Sequence, residues 1–295
     1  MSNSIKAILL AAAAAASAAT MHNIIRYITV EEGIHAFEAA FFRNFFGLII
    51  LIPVFARQGM GLLKTNKLSW HIGRSLINAV ALLCWFSALT FISVGDATAI
   101  SLIGPVFVAL LAIFFLGETI GIRRWTGIGL ALIGALVVVR PGLIEINTGT
   151  WLVLSATLLV SNSKIIAKHL SGHDSPTTIV AYVTILMMPI TLIPAIFVWQ
   201  WPSIDQLLWL AAIGVCGTTG HLLFTNAYRI ADVSLVDPIG FMRLIWGALL
   251  GYFLFSEFPD VYTWIGAGII VLGTTYMAQR DKVRGTDRLP NDSEV

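Results

Sequence analysis

Displaced by 139 residues, this sequence matches itself. WTGIGLALIG, starting at Trp125, aligns with WIGAGIIVLG, starting at Trp264, so that one tryptophan and three glycines keep their spacing. Seven residues before each tryptophan stands a glutamate, Glu118 and Glu257. Ala88 meets Ala227 and Val94 meets Val233 without a gap. A fixed period of this kind marks a duplicated structural unit. The repeated unit is a series of apolar runs of about 20 residues, the length that crosses a bilayer as a helix. Ten such runs are expected, at about 5–24, 36–56, 72–93, 97–117, 123–140, 150–169, 176–198, 206–228, 233–255 and 262–279. Each half then holds five spans, and five is odd, so the second half must enter the membrane inverted relative to the first. Inverted repeats of helices are the architecture of secondary carriers, with a site between the halves near the midplane.

A chain that is 57% hydrophobic and 12% charged is not a soluble globular protein. Its net charge of +2 gives no reason to expect nucleic acid as a partner. The lipid bilayer is the expected surrounding. Cys84 and Cys216 each fall inside an apolar run, so free thiols are expected. Turn chemistry supports several boundaries. Ser203 and Gln206 form a capping box before span eight. Ser175 followed by Pro176 opens span seven. Pro259-Asp260 opens span ten, and Asp96 is the expected cap of span four.

Lys and Arg set the orientation. With both termini in the cytoplasm, the inner side carries Lys6, Arg57, Lys64, Lys67, Arg74, Arg123, Arg124, Arg229 and the basic residues after 279, while the outer side carries Arg26 and Arg140. The expected division is a first five-helix repeat at 1–140, a second, inverted repeat at 141–280 and a disordered cytoplasmic tail at 281–295. Spans five and ten read as peripheral packing helices. Gly127, Gly129, Gly134, Gly266, Gly268 and Gly273 would let neighbouring helices approach closely. Glu118 and Glu257 read as carboxylates favoured by the helix N-termini that follow them.

Polar residues at membrane depth carry the functional reading. Arg243 lies in the middle of span nine, where a charge costs about 2.5–3.5 kcal/mol on the insertion scale. Two readings stand: a bidentate anchor for a carboxylate or phosphate, or a buried pair with Asp237 or Asp232. Pro238 and Gly240 are placed to interrupt that span. In span two, Glu38 is expected to reach water at the outer end, and Arg43, about two turns deep, to reach the central cavity or its gate. In the expected site Asp237 and Arg43 set the field, and Asn78, Trp85, Ser101, Asn162, His221, Tyr228 and Phe241 complete the lining, with Trp85, Phe86, Tyr228 and Phe241 as aromatic walls. His221, Asp237 and Glu38 are each able to carry a proton, which leaves protons as candidate co-substrates. His169 and His173 are four apart, but a loop intervenes and no third ligand accompanies them, so no metal is expected. No catalytic residues and no cofactor are expected, because no hydrolase, nucleotide or dinucleotide motif appears.

Four stretches together resemble a known family: FEAAFFRNFFGLIILIP in span two, SVGDATAISLIGPVFVALLAIFFLGE through span four, RRWTGIGLALIGALVVVRPG in span five, and FMRLIWGALLGYFLFSEFPDVYTWIGAGIIVLG in the second half. In these, over nearly all of residues 1–280, the chain is similar to the drug/metabolite transporter superfamily, EamA-type. Spans two and nine are similar to those of S-adenosylmethionine and riboflavin carriers of bacteria. The resemblance implies an all-α integral membrane protein of ten helices in two inverted repeats around a central cavity, in the bacterial inner membrane. The expected activity is alternating-access transport of a small polar or zwitterionic metabolite; amino acids, nucleosides, flavins and sulfonium compounds all fit. An intramembrane enzyme or a passive channel is the alternative. Monomer and homodimer both agree with the sequence.

Overall fold

The computed structural model describes residues 3–58, 63–116, 121–140, 147–230 and 239–286. Among them all regular structure is helical. The elements are α1 (Asn3–Val30), α2 (Ala36–Gln58), α3 (Leu68–Ala88), α4 (Val94–Ser101), α5 (Gly104–Leu116), α6 (Ile122–Val139), α7 (Thr148–Leu170), α8 (Pro176–Ile196), α9 (Ile204–Ile230), α10 (Met242–Phe255) and α11 (Val261–Thr286). By length and composition five stretches suffice to cross a membrane, namely 5–30, 94–115, 148–170, 178–196 and 204–224. Shorter apolar helices cover 125–139, 242–255 and 261–276. Large apolar side chains such as Phe114, Leu136, Ile193, Phe253 and Leu272 face outward. Both Cys84 and Cys216 are free thiols.

The helix starts follow local chemistry. Ser175 accepts from the Thr178 amide at 3.1 Å with Pro176 in the first turn. Ser203 and Gln206 exchange bonds of 3.2 and 2.9 Å. Asp260 accepts from the Thr263 amide at 3.0 Å. Span four differs from expectation at its cap and in its middle. Ser93, not Asp96, is the N-cap, accepting from the Asp96 amide at 3.0 Å. The Asp96 carboxylate instead accepts from Thr263 Oγ1 at 2.9 Å and so ties α4 to α11. The span then breaks at Leu102 and Ile103. Pro105 is the cause, because it has no amide hydrogen and its ring collides with the carbonyl four residues back, that of Ser101. Around the break, Ser161 Oγ on α7 donates to the Gly104 carbonyl at 3.2 Å.

Most of the larger helix packings recur when the halves are exchanged. α1 packs on α9 as α7 packs on α3; α2 packs on α9 as α8 packs on α3; α1 packs on α10 as α7 packs on α5. The pairs α2–α8, α4–α10 and α6–α11 map onto themselves. In the α6–α11 pair the glycines obey the same rule. A Cβ on Gly134 would stand 2.7 Å from the Gly266 carbonyl oxygen, and one on Gly273 would stand 2.8 Å from that of Gly127. Gly129 and Gly268 do not share this role: each faces open space. They lie on the helix sides turned away from the contact.

One end of the bundle is tightly closed. Arg26 was expected in an outer loop, but α1 continues to Val30 and leaves Arg26 only 8% exposed. Its Nη1 donates to the carbonyls of Leu89 and Ile92, both at 2.7 Å, and its Nη2 pairs with Glu257. This pairing, rather than a following helix N-terminus alone, accounts for the Glu257 charge. Arg140 pairs with Asp260 and lies over the Tyr262 ring. Glu38 also departs from expectation, for it is fully buried rather than reaching water. The Gln200 amide donates to it at 3.4 Å, beneath Trp199, which packs on Phe41 and Phe42. Much of the buried core, including Ile25, Ile28, Leu89, Val94 and Ile213, lies in this half of the bundle. Glu118 falls outside the described residues. Of the expected tail, α11 takes in 281–286, and 287–295 fall outside the described residues. Helical hydrogen bonds are local, so α11 can outrun its apolar face.

At the opposite end, Asp174 in the loop before α8 accepts from Thr65 Oγ1 at 2.7 Å and bonds His71 Nε2 at 2.9 Å. His71 is fully buried and stacks on Tyr182. Burial alone would raise the Asp174 carboxyl, but the bonds to His71 and Thr65 outweigh it and hold the carboxyl below its ordinary value. A depressed carboxylate stabilises the fold above the ordinary range near 4 and loses that contribution as pH falls through the lowered value. Asp174→Asn is therefore expected to cost about 1 kcal/mol at neutral pH and to flatten the acid limb of a plot of Tm against pH. An unchanged acid limb would show that another carboxylate controls it.

Candidate functional site

The interior of the bundle, between the closed end and the His71 end, gathers cationic side chains from several helices. Arg43 on α2 lies against α9, where Gly217 makes room: a Cβ there would stand 3.2 Å from Arg43 Nε and 2.8 Å from Met21 Sδ. Arg43 Nη1 donates to Asn44 Oδ1 at 2.8 Å, and Asn44 Nδ2 donates to Thr191 on α8 at 3.2 Å. This chain of bonds holds the guanidinium in place while its Nε keeps no partner. Arg243 stands at the second residue of α10, just after the bend at Phe241. Under the 139-residue shift it corresponds to Gly104, where α5 begins after its own break. Arg243 Nε also lacks a partner.

His22 on α1 joins the two arginines. It is 6% exposed, feels the charge of both Arg243 and Arg43, and leaves Nδ1 without a partner. Its ring lies 5.2 Å from that of Trp85 on α3, whose Nε1 is likewise unpartnered. Arg74, Asn78 and Trp85 share a helix face, with Asn78 four residues after Arg74 and Trp85 seven after Asn78. Arg74 and Arg43 both act on His221 of α9. Thus Arg43, Arg243, Trp85 and His221, all expected from the sequence, belong to one neighbourhood, and Asn78 lies on the matching face.

Others fall elsewhere. Ser101 caps the α4 break through a 2.7 Å bond to the Thr98 carbonyl. Asn162 is half-buried on α7, beside Ser161, which binds the start of α5. Phe241 packs against the core at the start of α10, and Phe86 is a fully buried core residue, not a cavity wall. Asp237, Asp232 and the side chain of Tyr228 lie outside the described residues. The His169 ring lies tilted against that of Trp70, with His173 beside it.

Sequence reasoning missed His22 and Arg74. His22 is the only titratable residue of the first run apart from Lys6, which was signal enough. Arg74 was assigned to the inner surface, although its spacing to Asn78 and Trp85 already placed all three on one face.

The comparisons agree with this architecture. The EamA-like transporter family matches the chain twice, over residues 5–140 and 147–279. A riboflavin transporter of Vibrio cholerae is 27% identical over 88% of this chain and 89% of its own length. An S-adenosylmethionine uptake transporter of Rickettsia prowazekii is 31% identical over 84% of this chain and 85% of its own. One solved crystal structure shares the fold, with a TM-score of 0.63 over 97% of both chains at 17% identity. With apolar helices throughout, a polar interior and a family match on each half, this chain belongs to the EamA-like transporter family and is a membrane transporter of small metabolites, not an enzyme.

Proposed function

We propose that this protein is a secondary carrier that moves a small polar or zwitterionic metabolite across the bacterial cytoplasmic membrane by alternating access. The supporting observation is that the larger helix pairings recur when the two halves are exchanged, while Arg26, Glu257 and their neighbours close one end of the bundle. Two equivalent halves that rock about a central site need this symmetry. The eight apolar helices, with α2 and α3 added, make ten spans. The double family match and the mirrored glycine contacts of α6 and α11 support two inverted repeats, 1–140 and 141–280. The excess of Lys and Arg puts both termini in the cytoplasm, so the closed end is the outer one.

The relatives make S-adenosylmethionine and riboflavin the first compounds to test, followed by amino acids and nucleosides. Proteoliposomes preloaded with unlabelled compound should accumulate the labelled form transiently, with saturation. Ohmic single-channel currents, or no counterflow with any compound of the panel, would sink the carrier reading.

A further inference from the structure

Charge is segregated in this fold. Among the described side chains, the central cluster is cationic, with Arg43, Arg74 and Arg243 and with His22 and His221 beside them, and the buried Glu38 stands five residues from Arg43 toward the closed end. The described carboxylates lie elsewhere. Glu257 and Asp260 are paired with Arg26 and Arg140 at the closed end, Asp96 is bonded to Ser93 and Thr263, and Asp174 is bonded to His71 and Thr65. Glu38 is buried under the closed end beside Gln200. Neither Arg43 nor Arg243 has an ion pair with a described carboxylate. Arg43 approaches α1 beside Met21, and α10 meets the same turn of α1 where Asn23 Nδ2 donates to the Gly247 carbonyl at 3.4 Å, so both guanidiniums lie near the His22 turn, where like charges repel and membrane depth strengthens that repulsion. Arg43 Nε, Arg243 Nε, His22 Nδ1 and Trp85 Nε1 are all buried and unpartnered. An arginine, or a tryptophan N–H, donates and cannot accept. Among the described residues no carboxylate pairs with these arginines, and the cluster calls for negative charge and acceptor oxygens.

We infer that Arg43 and Arg243 form a two-arginine anion subsite, flanked by His22 and Trp85, and that the cargo is an organic anion bearing a carboxylate or phosphate group next to a flat ring. This rests on the carrier reading and sharpens its substrate class. A neutral or purely cationic cargo would leave the two arginines uncompensated. Arg74, whose Nη1 reaches the Ile179 carbonyl at 3.4 Å, extends the positive field toward the cytoplasmic end, which raises the local concentration of anions. The His22–Trp85 ring pair gives the flat part of the ligand a surface.

The test uses the full-length protein in detergent and four probes of one ring size: phthalate, phenyl phosphate, benzamide and benzylamine, each at millimolar concentration. At least one of the two anions should raise Tm by mass action, and benzamide and benzylamine should not. Which anion is stronger distinguishes a carboxylate group from a phosphate group. Arg43→Gln and Arg243→Gln should weaken the response about tenfold or more. Should a Gln variant fail to fold, the matching Lys variant carries the test: it keeps the charge, loses the bidentate fork and should bind measurably more weakly. No response to either anion, an equal response to the neutral or cationic probe, or undiminished binding by the variants overturns the inference. Counterflow separates it from the carrier reading. Anion binding without counterflow removes the carrier and keeps the subsite, whereas counterflow of neutral or cationic compounds alone removes the subsite and keeps the carrier.

Discussion

Arg243→Ala is expected to abolish uptake in proteoliposomes, a fall of about 100-fold or more, and to leave a folded protein with an equal or higher Tm. The two halves of this result have one cause. Loss of a desolvated charge contact to cargo costs about 2–5 kcal/mol, which exceeds two orders of magnitude over most of that range. The same substitution removes a guanidinium whose burial at membrane depth costs about 2.5–3.5 kcal/mol on the insertion scale, and relieves its repulsion with Arg43. A residue that served the fold through an internal ion pair would behave in the opposite way, because its removal would strand a buried partner. Uptake is read by filter counting of labelled compound, stability by a thermal melt of the same preparation. Full transport by Arg243→Ala would remove this residue from the site; lost transport with a large fall in Tm would return it to a structural role.

Gly134→Val and Gly266→Val are each expected to separate α6 from α11. A Cβ at Gly134 meets the Gly266 carbonyl oxygen at 2.7 Å, and one at Gly266 meets the Gly134 carbonyl oxygen at 2.6 Å. Both obstacles are backbone atoms, which cannot swing aside as a flexible side chain can. Overpacking costs about 1–3 kcal/mol, and backbone contact on both sides puts these variants at the upper end. Gly129→Val and Gly268→Val are the matched controls. They sit on the same two helices at mirrored positions with nothing within 4 Å of the added carbon. Folded yield by size-exclusion chromatography should drop severalfold for the first pair and stay near wild type for the second. Equal behaviour of all four variants would show that this helix pair does not need its close approach.

How far the sequence could be read depends on whether the signal was periodic or three-dimensional. The helices were legible because a bilayer demands apolar runs of fixed length. Several helix starts were legible because caps are local: Ser175, Ser203 and Asp260 act as their sequence contexts imply. The break in span four was also present in the sequence, in Pro105, but an unbroken apolar run concealed it. The fates of Arg26, Glu38 and Asp96 were not legible. Each looks like a solvated residue near the end of a helix, and each is enclosed or bonded by residues distant in the chain.

The candidate site divides in the same way. Arg43 and Arg243 were found because a charge inside an apolar run is costly wherever the helix turns. His22 was overlooked because its importance lies in its neighbours on α2, α3 and α10, which no one-dimensional pattern links to α1. By itself, then, the sequence determined the helical class, the doubled plan and which charges must sit deep, since those follow from residue type, spacing and the cost of polarity in lipid. Only the tertiary structure decided which of the paired glycines touch, which arginine locks an end and which one faces the interior, since each depends on helix rotation and on partners far away in the chain.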